Sequence, residues 1–430
     1  MLGRLATTQK RYFSLYPSFP KSMTEIPPNK PEQSSDILLE EDRELVSSKP
    51  QLWELALVFA NLGAIAFGGP AAHIAQIEQE VVQRRRWMSR EKLLDLLGIT
   101  SLIPGPNSTE LTIHIGLEQR GWQGAIVAGT CFIVPAMILV WGLAIVYVEY
   151  QTVPSVGWLL YGVKPVIIAI ITQAIWKLGK SALKNPITWV AGVLVLALYF
   201  LGINEIALML GAGIVVSLVH NLISKTSQTL PSILIPLSLF PSTLPIGGIT
   251  IEAIPKTWTA VFLSFLKIGS VLYGSGYVLL AFMQQEFVER THWLTSQQLL
   301  DAIAIGQFTP GPVFTTATFV GYLVAGNMGA IAGTIGIFLP AFILVPLVNP
   351  FVTQLRKSPW TSGFLDGVNA ASIGLMASVA WELGQTALID IWTIVISAIS
   401  LGILLKFPKT NSAWLVMSGA AIGYVLKFNQ

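Results

Sequence analysis

The sequence predicts an all-α polytopic membrane protein made of two homologous halves arranged as an inverted-topology repeat. Three observations predict it. Only 11% of the 430 residues are charged while 53% are hydrophobic, against about 25% charged in soluble domains. The apolar residues fall into runs of membrane-crossing length separated by basic clusters. Finally, Ile103-Pro104-Gly105-Pro106-Asn107-Ser108-Thr109-Glu110 returns about 206 positions later as Phe308-Thr309-Pro310-Gly311-Pro312-Val313-Phe314-Thr315. Pro-Gly-Pro cannot continue a helix, because proline lacks the backbone donor and glycine admits backbone angles other residues avoid. A broken backbone at membrane depth is tolerated only where protein or a water-filled cavity covers it. Two such breaks in corresponding halves point to a transporter's binding site.

Residues 1–50 read as a disordered polar extension. The first 22 hold Arg4, Lys10, Arg11 and Lys21 but no acid, as in a transit peptide. Met23 as the true start, or a plain tail, are the simpler readings. The first repeat spans 51–222. Leu52–Phe67 enters the membrane and meets Gly68-Gly69-Pro70, and a polar helix follows to Gln83, amphipathic and lying on the membrane surface. Leu93–Leu117 carries the first Pro-Gly-Pro. Gly121–Val148, Val156–Trp176, Ile187–Leu201 and Ile206–Leu222 are further runs. Residues 223–256, rich in Ser, Thr and Pro, are the linker.

The second repeat, 257–430, restarts the pattern with Tyr273-Gly274-Ser275-Gly276-Tyr277 where the first has Phe67-Gly68-Gly69-Pro70-Ala71. Residues 59–112 and 265–318 align without a gap at about 18 identities in 54 positions. Among them are Glu80 and Glu286, Arg84 and Arg290, Trp87 and Trp293, and Asp95 and Asp301.

Basic residues orient the chain, since they gather on the cytoplasmic side. With each Pro-Gly-Pro segment re-entrant, each half has about five crossings. Arg84, Arg85, Arg86, Arg90, Lys92, Arg120, Lys177, Lys180, Lys184, Lys225, Arg356, Lys357, Lys406 and Lys409 then share one side. That arrangement puts the N-terminal tail on the other side, opposite Arg120. A fully spanning segment would split the arginine cluster from Lys177–Lys184.

Polar groups in lipid are costly and mark candidate sites. A half-helix starting at Pro106 directs the N–H groups of Asn107, Ser108 and Thr109 and the positive end of its dipole toward the midplane, an anion site by its physics. Hydroxyls of Ser108, Thr109, Thr112, Thr315, Thr316 and Thr318 add donors, and two facing ends suit a dianion. The competing account is a proline kink with hydroxyls bonded back to the helix. Glu110, with His114 one turn on, is a candidate proton carrier; a structural pair with His114 or Arg120 competes. Gly68-Gly69-Pro70 with His73, matched by Gly274-Ser275-Gly276, supplies close approach and exposed backbone N–H groups, and His73 is either a proton carrier, an anion ligand or a packed histidine. Lys164 and Lys267 are cations inside apolar runs and candidates for drawing an anion, or else members of ion pairs.

One cysteine, Cys131, excludes an intrachain disulfide and a thiolate metal site. Four histidines leave little room for a multi-histidine centre, and neither a Walker motif nor a basic patch interleaved with aromatics is present, so no cofactor, direct ATP use or nucleic-acid partner is expected.

The ordered motifs Phe67-Gly68-Gly69-Pro70-x-x-His73, Arg86-Trp87, Ile103 to Glu110 and Ile113-His114-Ile115-Gly116 resemble those of the chromate ion transporter family. Tyr273-Gly274-Ser275-Gly276 and Gln307 to Val313 resemble that family's C-terminal domain. The resemblance covers roughly residues 52 to 428. It implies a two-domain secondary transporter, not an enzyme, that exports chromate across the plasma membrane on the proton-motive force and so confers chromate resistance. Sulfate uptake or exchange by the same fold, and a passive anion channel, remain alternatives. The substrate-binding set is then Gly68, Gly69, Pro70, Pro104, Gly105, Pro106, Asn107, Ser108, Thr109, Lys267, Gly274, Ser275, Gly276, Pro310, Gly311, Pro312, Thr315 and Thr316. Glu110, His114 and His73 carry protons. The expected partners are the oxyanion, protons and the lipid bilayer; a homodimer is left open.

Overall fold

The computed structural model describes residues 49–67, 69–150, 153–223, 255–273, 276–407 and 410–428. Gly68, Gly274, Ser275, Lys225, Lys409, nearly all of the 1–50 extension and the body of the 223–256 linker lie outside the described residues, as do the side chains of Pro70, Arg356 and Lys357. Among the described residues every regular element is helical. Five helices are long and apolar enough to cross a membrane, and five shorter apolar helices accompany them.

The duplication seen in the sequence reaches the backbone angles. In the first repeat, α1 (Leu52–Ile65) starts where Glu54 accepts the N–H of Gln51 at 2.9 Å and ends at Ala66 in extended backbone. In the second, α8 (Trp258–Val271) is capped by Thr257 and ends at Leu272 in the same conformation. After the first break comes α2 (Gly69–Glu78), which widens into a π-helical turn at Gln79–Arg84. Its mate, α9 (Leu279–Met283), widens at Gln284–Arg290. Both turns end at a left-handed non-glycine residue, Arg86 at φ 53° and His292 at φ 52°. The hydroxyls of Ser89 and Thr295 then cap α3 (Arg90–Thr100) and α10 (Ser296–Phe308).

Beyond each Pro-Gly-Pro lies a helix that folds back on itself. Within α4 (Asn107–Tyr150) the chain turns at Arg120 and at Gly121, whose φ of 60° and ψ of −149° suit only glycine. Within α11 (Thr316–Val348) Ala325 and Gly326 repeat that turn almost to the degree. The arms of each hairpin touch closely: a Cβ on Gly116 would collide with the carbonyl of Gly124, and Thr318 Oγ1 meets Thr334 Oγ1 at 2.7 Å. Small residues let helix backbones approach where lipid offers no hydrophobic drive for association.

The remaining helices are α5 (Pro154–Ala182), α6 (Pro186–Phe200) and α7 (Glu205–Ile223) in the first repeat. A short α12 (Val352–Lys357), then α13 (Pro359–Ala387), α14 (Ile391–Lys406) and α15 (Ser412–Phe428) complete the second. The long arms 122–150 and 327–348 run antiparallel: Trp141 Nε1 donates to Asn327 Oδ1 at 3.1 Å, and Phe342 packs on Gly129. Each long arm also packs against the broken segments of the other repeat, with Ala341 beside Gly105 and Ala136 beside Gly311.

Hydrogen bonds assign the ends of the elements to two faces. At the first face, Arg120 Nε donates to the carbonyl of Pro50 at 2.6 Å, Gln119 to that of Trp87 at 3.0 Å, and Lys92 pairs with Glu118 at 3.1 Å. Both α1–α2 and α3 with its continuation 107–119 therefore go in from the first face and come back to it. Lys184 with Asp366, and Ser217 with the Trp360 carbonyl, belong to the same level. At the second face Tyr161 donates to Asp390 at 2.6 Å, Tyr199 meets Glu289 and Glu382, and Lys256 reaches the Trp293 carbonyl.

Two sequence expectations change here. The start of α1 was expected opposite Arg120, yet the two are hydrogen-bonded. Leu52–Phe67 has the composition of a span, but α1 is only 14 residues long and the chain doubles back at Ala66. The segment after it is also no simple surface helix, because Ile77 and Val81 are fully buried in the core.

Candidate functional site

Four breaks meet at the centre. The N–H of Gly105, in the first Pro-Gly-Pro, donates to the carbonyl of Leu272 at 2.7 Å; the N–H of Gly311, in the second, donates to that of Ala66 at 2.9 Å. Each bond joins one repeat's Pro-Gly-Pro to the other's first break, and the two bonds are symmetry mates. They use carbonyls that the ends of α1 and α8 leave free. Gly105 (φ 142°) and Gly311 (φ 88°) sit where a side chain is strained, and a Cβ on Gly105 would run into Glu110 Oε1.

The polar groups around this junction differ between repeats. In the first, Glu110 is fully buried and neither carboxyl oxygen has a hydrogen-bond partner. Tyr273 of the other repeat lies within its electrostatic reach. Buried Thr109 Oγ1 and His114 Nε2 are likewise unpartnered. His73 Nε2 donates to the Ala66 carbonyl at 3.1 Å, the acceptor already used by Gly311. That bond fixes the tautomer and leaves Nδ1 to accept from Ser108 Oγ, which lies 3.5 Å away. His73 thus ties the α1 break to both Pro-Gly-Pro turns. Its ring stands edge-on to Phe132 at 5.9 Å.

In the second repeat the matching positions are apolar or internally bonded. Leu279, Val313, Phe314 and Val320 replace His73, Asn107, Ser108 and His114. Thr315 Oγ1 donates to the Pro312 carbonyl at 2.8 Å and Thr316 Oγ1 to that of Val313 at 2.7 Å. Among the N–H groups expected to be free, Thr109 donates to the Pro106 carbonyl at 2.8 Å, and Thr112 Oγ1 bonds back to Ser108. The side-chain sets of the two copies are therefore unequal: Thr109 and Glu110 are unpartnered in the first, whereas beside the second Pro-Gly-Pro the unpartnered group is Gln307 Nε2. Gly69 and Gly276 border the junction, beside Tyr277 and Phe314 respectively.

Both lysines from the apolar runs are ion-paired, Lys164 buried and Lys267 half-buried. Lys267 Nζ lies 2.6 Å from Glu286 Oε2, and Glu286 also takes Arg290 and Ser264. Lys164 Nζ lies 3.0 Å from Asp301, which accepts the Tyr147 hydroxyl at 2.8 Å. Asp301 rides on α10, the helix leading into the second Pro-Gly-Pro, so this pair anchors that break to α5. Both carboxylates were visible in the sequence as repeat identities, but the sequence reading gave them no role; their place in apolar surroundings is the signal that could have found them. A cavity of about 240 Å³ opens at the first face, with Lys92, Asp95, Glu118 and Asn349 beside Leu96, Ile99 and Val352. Among the described residues no cluster of His, Cys, Asp and Glu suits a metal ion.

The sequence pattern of the chromate transporters matches this chain twice, over residues 53–217 and 259–424. The chain belongs to the chromate transporter family. Each match covers one structural repeat, so the family unit is the broken-hairpin half and this chain carries two. The chain is similar to the chromate transport protein of Cupriavidus metallidurans, 30% identical over 379 residues that cover 87% of this chain and 93% of the relative. It is equally similar to the probable chromate transport protein of Synechococcus elongatus, at 30% over 382 residues, 87% and 95%. The uncharacterized transporter YwrA of Bacillus subtilis aligns with only 35% of this chain but 83% of its own length, at 26% identity. No solved structure matches the chain. As a multi-pass membrane member of the chromate transporter family, the protein confirms the expected class, and the junction of four breaks is its candidate transport site.

Proposed function

We propose that the protein is a secondary transporter that exports chromate across the plasma membrane, driven by protons moving the opposite way. The observation that carries this is the junction itself: paired Pro-Gly-Pro breaks hydrogen-bonded across the repeats, with open donors at 107–109 next to an unpartnered buried carboxyl. Chromate is a tetrahedral dianion. The Asn107 and Ser108 N–H groups, the Thr109 hydroxyl and the α4 dipole favour negative charge there. Glu110, buried beside these donors with neither carboxyl oxygen partnered, is the residue proposed to carry the proton on the opposite step.

The membrane arrangement proposed is an inverted repeat. Each half contributes the helices 122–150, α5, α6 and α7 (or their mates) and two half-depth hairpins (α1–α2, and α3 with 107–119, or their mates), with α7 ending at the first face and α8 beginning at the second. The antiparallel long arms and the two hydrogen-bonded faces support it. So does charge: the first face collects Arg84, Arg85, Arg86, Arg90, Lys92, Arg120 and Lys184, which makes it cytoplasmic by the positive-inside rule. Residue 49 then also lies on the cytoplasmic side.

Reconstituted protein in liposomes under an imposed pH gradient tests the function. Chromate accumulation against its own gradient is expected, reversed when the pH gradient is reversed. Strictly downhill flux, indifferent to the pH gradient, would establish a channel instead.

A further inference from the structure

On the second face a group of ionisable side chains takes no part in the junction. Tyr199, at the end of α6, sets its hydroxyl between two carboxylates, 3.3 Å from Glu289 Oε1 and 3.2 Å from Glu382 Oε2. Glu289 comes from the π-helical turn after α9 and Glu382 from the last turns of α13. A phenol has one proton to donate, so it satisfies one carboxylate at a time.

The neighbouring charges do not neutralise the pair. Lys267 of α8 and Arg290 of the π-helical turn both engage Glu286. Glu205, at the start of α7, is buried, with Oε2 unpartnered, and faces Lys267, Glu286 and Arg290. Two cations and two carboxylates thus balance there. Glu289 and Glu382 are left over, and among the described residues no lysine, arginine or histidine pairs with either. Gln284, 4% exposed, turns its side chain to Glu382 while its Oε1 has no partner. Two adjacent carboxylates with one hydroxyl between them and no paired cation favour sharing a further proton.

We propose that Glu289, Glu382 and Tyr199 form a proton-binding site at the second face, distinct from Glu110, where protons that drive transport are taken up from the outer solution. Its place in transport rests on the proton-driven export proposed above; its binding of a proton does not. The proton passes from hydronium to the carboxyl pair, with the Tyr199 hydroxyl re-aiming from one oxygen to the other and Gln284 holding Glu382 in place.

Two readouts test it on the full-length protein. Infrared titration in liposomes should show a protonated-carboxyl band that Glu382→Gln and Glu289→Gln each remove. Transport by the same variants should lose its dependence on the pH of the second-face compartment. Tyr199→Phe, which leaves both carboxyls and the fold's packing, should move that dependence by about one pH unit, the scale on which coupled sites interact. An unchanged band and an unchanged pH profile in folded Glu382→Gln and Tyr199→Phe proteins would overturn the site. If the band is lost in the variants but wild-type flux ignores the pH gradient, the proton site stands and the export reading fails. If wild-type flux follows the gradient and all three variants match it in band and profile, this site fails alone.

Discussion

The backbone amide of Gly105 donates to the carbonyl of Leu272, and through the repeat Gly311 does the same to Ala66. Two half-proteins that each contain two broken hairpins therefore complete one another. The carbonyl freed where α1 or α8 stops is satisfied by a donor that only the opposite repeat's Pro-Gly-Pro turn exposes. In a membrane interior, an unsatisfied carbonyl costs several kcal/mol.

Replacing either glycine by alanine disturbs this joint. Gly105→Ala places a methyl on Glu110 Oε1, and Gly311→Ala places one on Ala136 and the Gly63 carbonyl. Backbone strain of about 1–3 kcal/mol adds to the clash. Both variants should unfold earlier on heating in detergent, while Gly384→Ala, which meets nothing within 4 Å, should behave as the parent. Equal melting of all three would show the joint to be dispensable.

The Lys164–Asp301 pair is buried on both sides, and leaving one charge alone costs about 3–5 kcal/mol. Lys164→Met and Asp301→Asn should each lower stability by that order in thermal unfolding. The double variant should be more stable than the sum of the single losses allows. Strict additivity would mean that the two side chains do not interact in the membrane.

Face assignments are open to chemical labelling. In a Cys131→Ala background, single cysteines at Lys49 and Glu91 should react with an impermeant maleimide from one side only, and one at Ser296 from the opposite side. Labelling of Lys49→Cys and Glu91→Cys from different sides would restore a full crossing for α1.

The unequal donor sets predict unequal mutants. Thr109→Val removes an unpartnered hydroxyl, whereas Thr315 already donates to Pro312. A hydrogen bond to a charged group is worth about 1.5–3 kcal/mol, so Thr109→Val should weaken chromate binding by roughly ten-fold or more, and Thr315→Val far less. Full transport by the double variant would move the substrate elsewhere.

Glu110→Gln keeps size while ending proton exchange at that position. Folding and detergent stability should be retained, since the protein already buries this side chain without a partner. Chromate accumulation driven by a pH gradient should disappear. Wild-type accumulation in Glu110→Gln would remove this residue from the coupling.

The residues read from the sequence as carriers of function divide by the range of the interactions that decide them. Pro104, Gly105 and Pro106 and their copies broke the helix where expected, because proline and glycine act through their own backbone. The duplication was legible as residue identities such as Glu80 and Glu286, while its extension to the matched left-handed turns at Arg86 and His292 came only from the structure. Lys267 was less legible: its partner Glu286 follows it by a whole hairpin, and nothing in the local pattern separates an anion-seeking lysine from a paired one. The roles of Glu289 and Glu382 were not legible at all, because neither has a local partner that would single it out.

By itself, then, the sequence determined the solvent, the helical class, the repeat and the positions of the breaks. All of these follow from hydropathy, period and the covalent limits of proline and glycine. Only the tertiary structure decided that α1 turns back at Ala66, that each break is completed by the other repeat, and that the two copies differ in the side chains they leave unpartnered. The reason is that a carbonyl at the end of a half-helix must find a donor, and in lipid that donor comes from whichever segment the whole fold brings within reach.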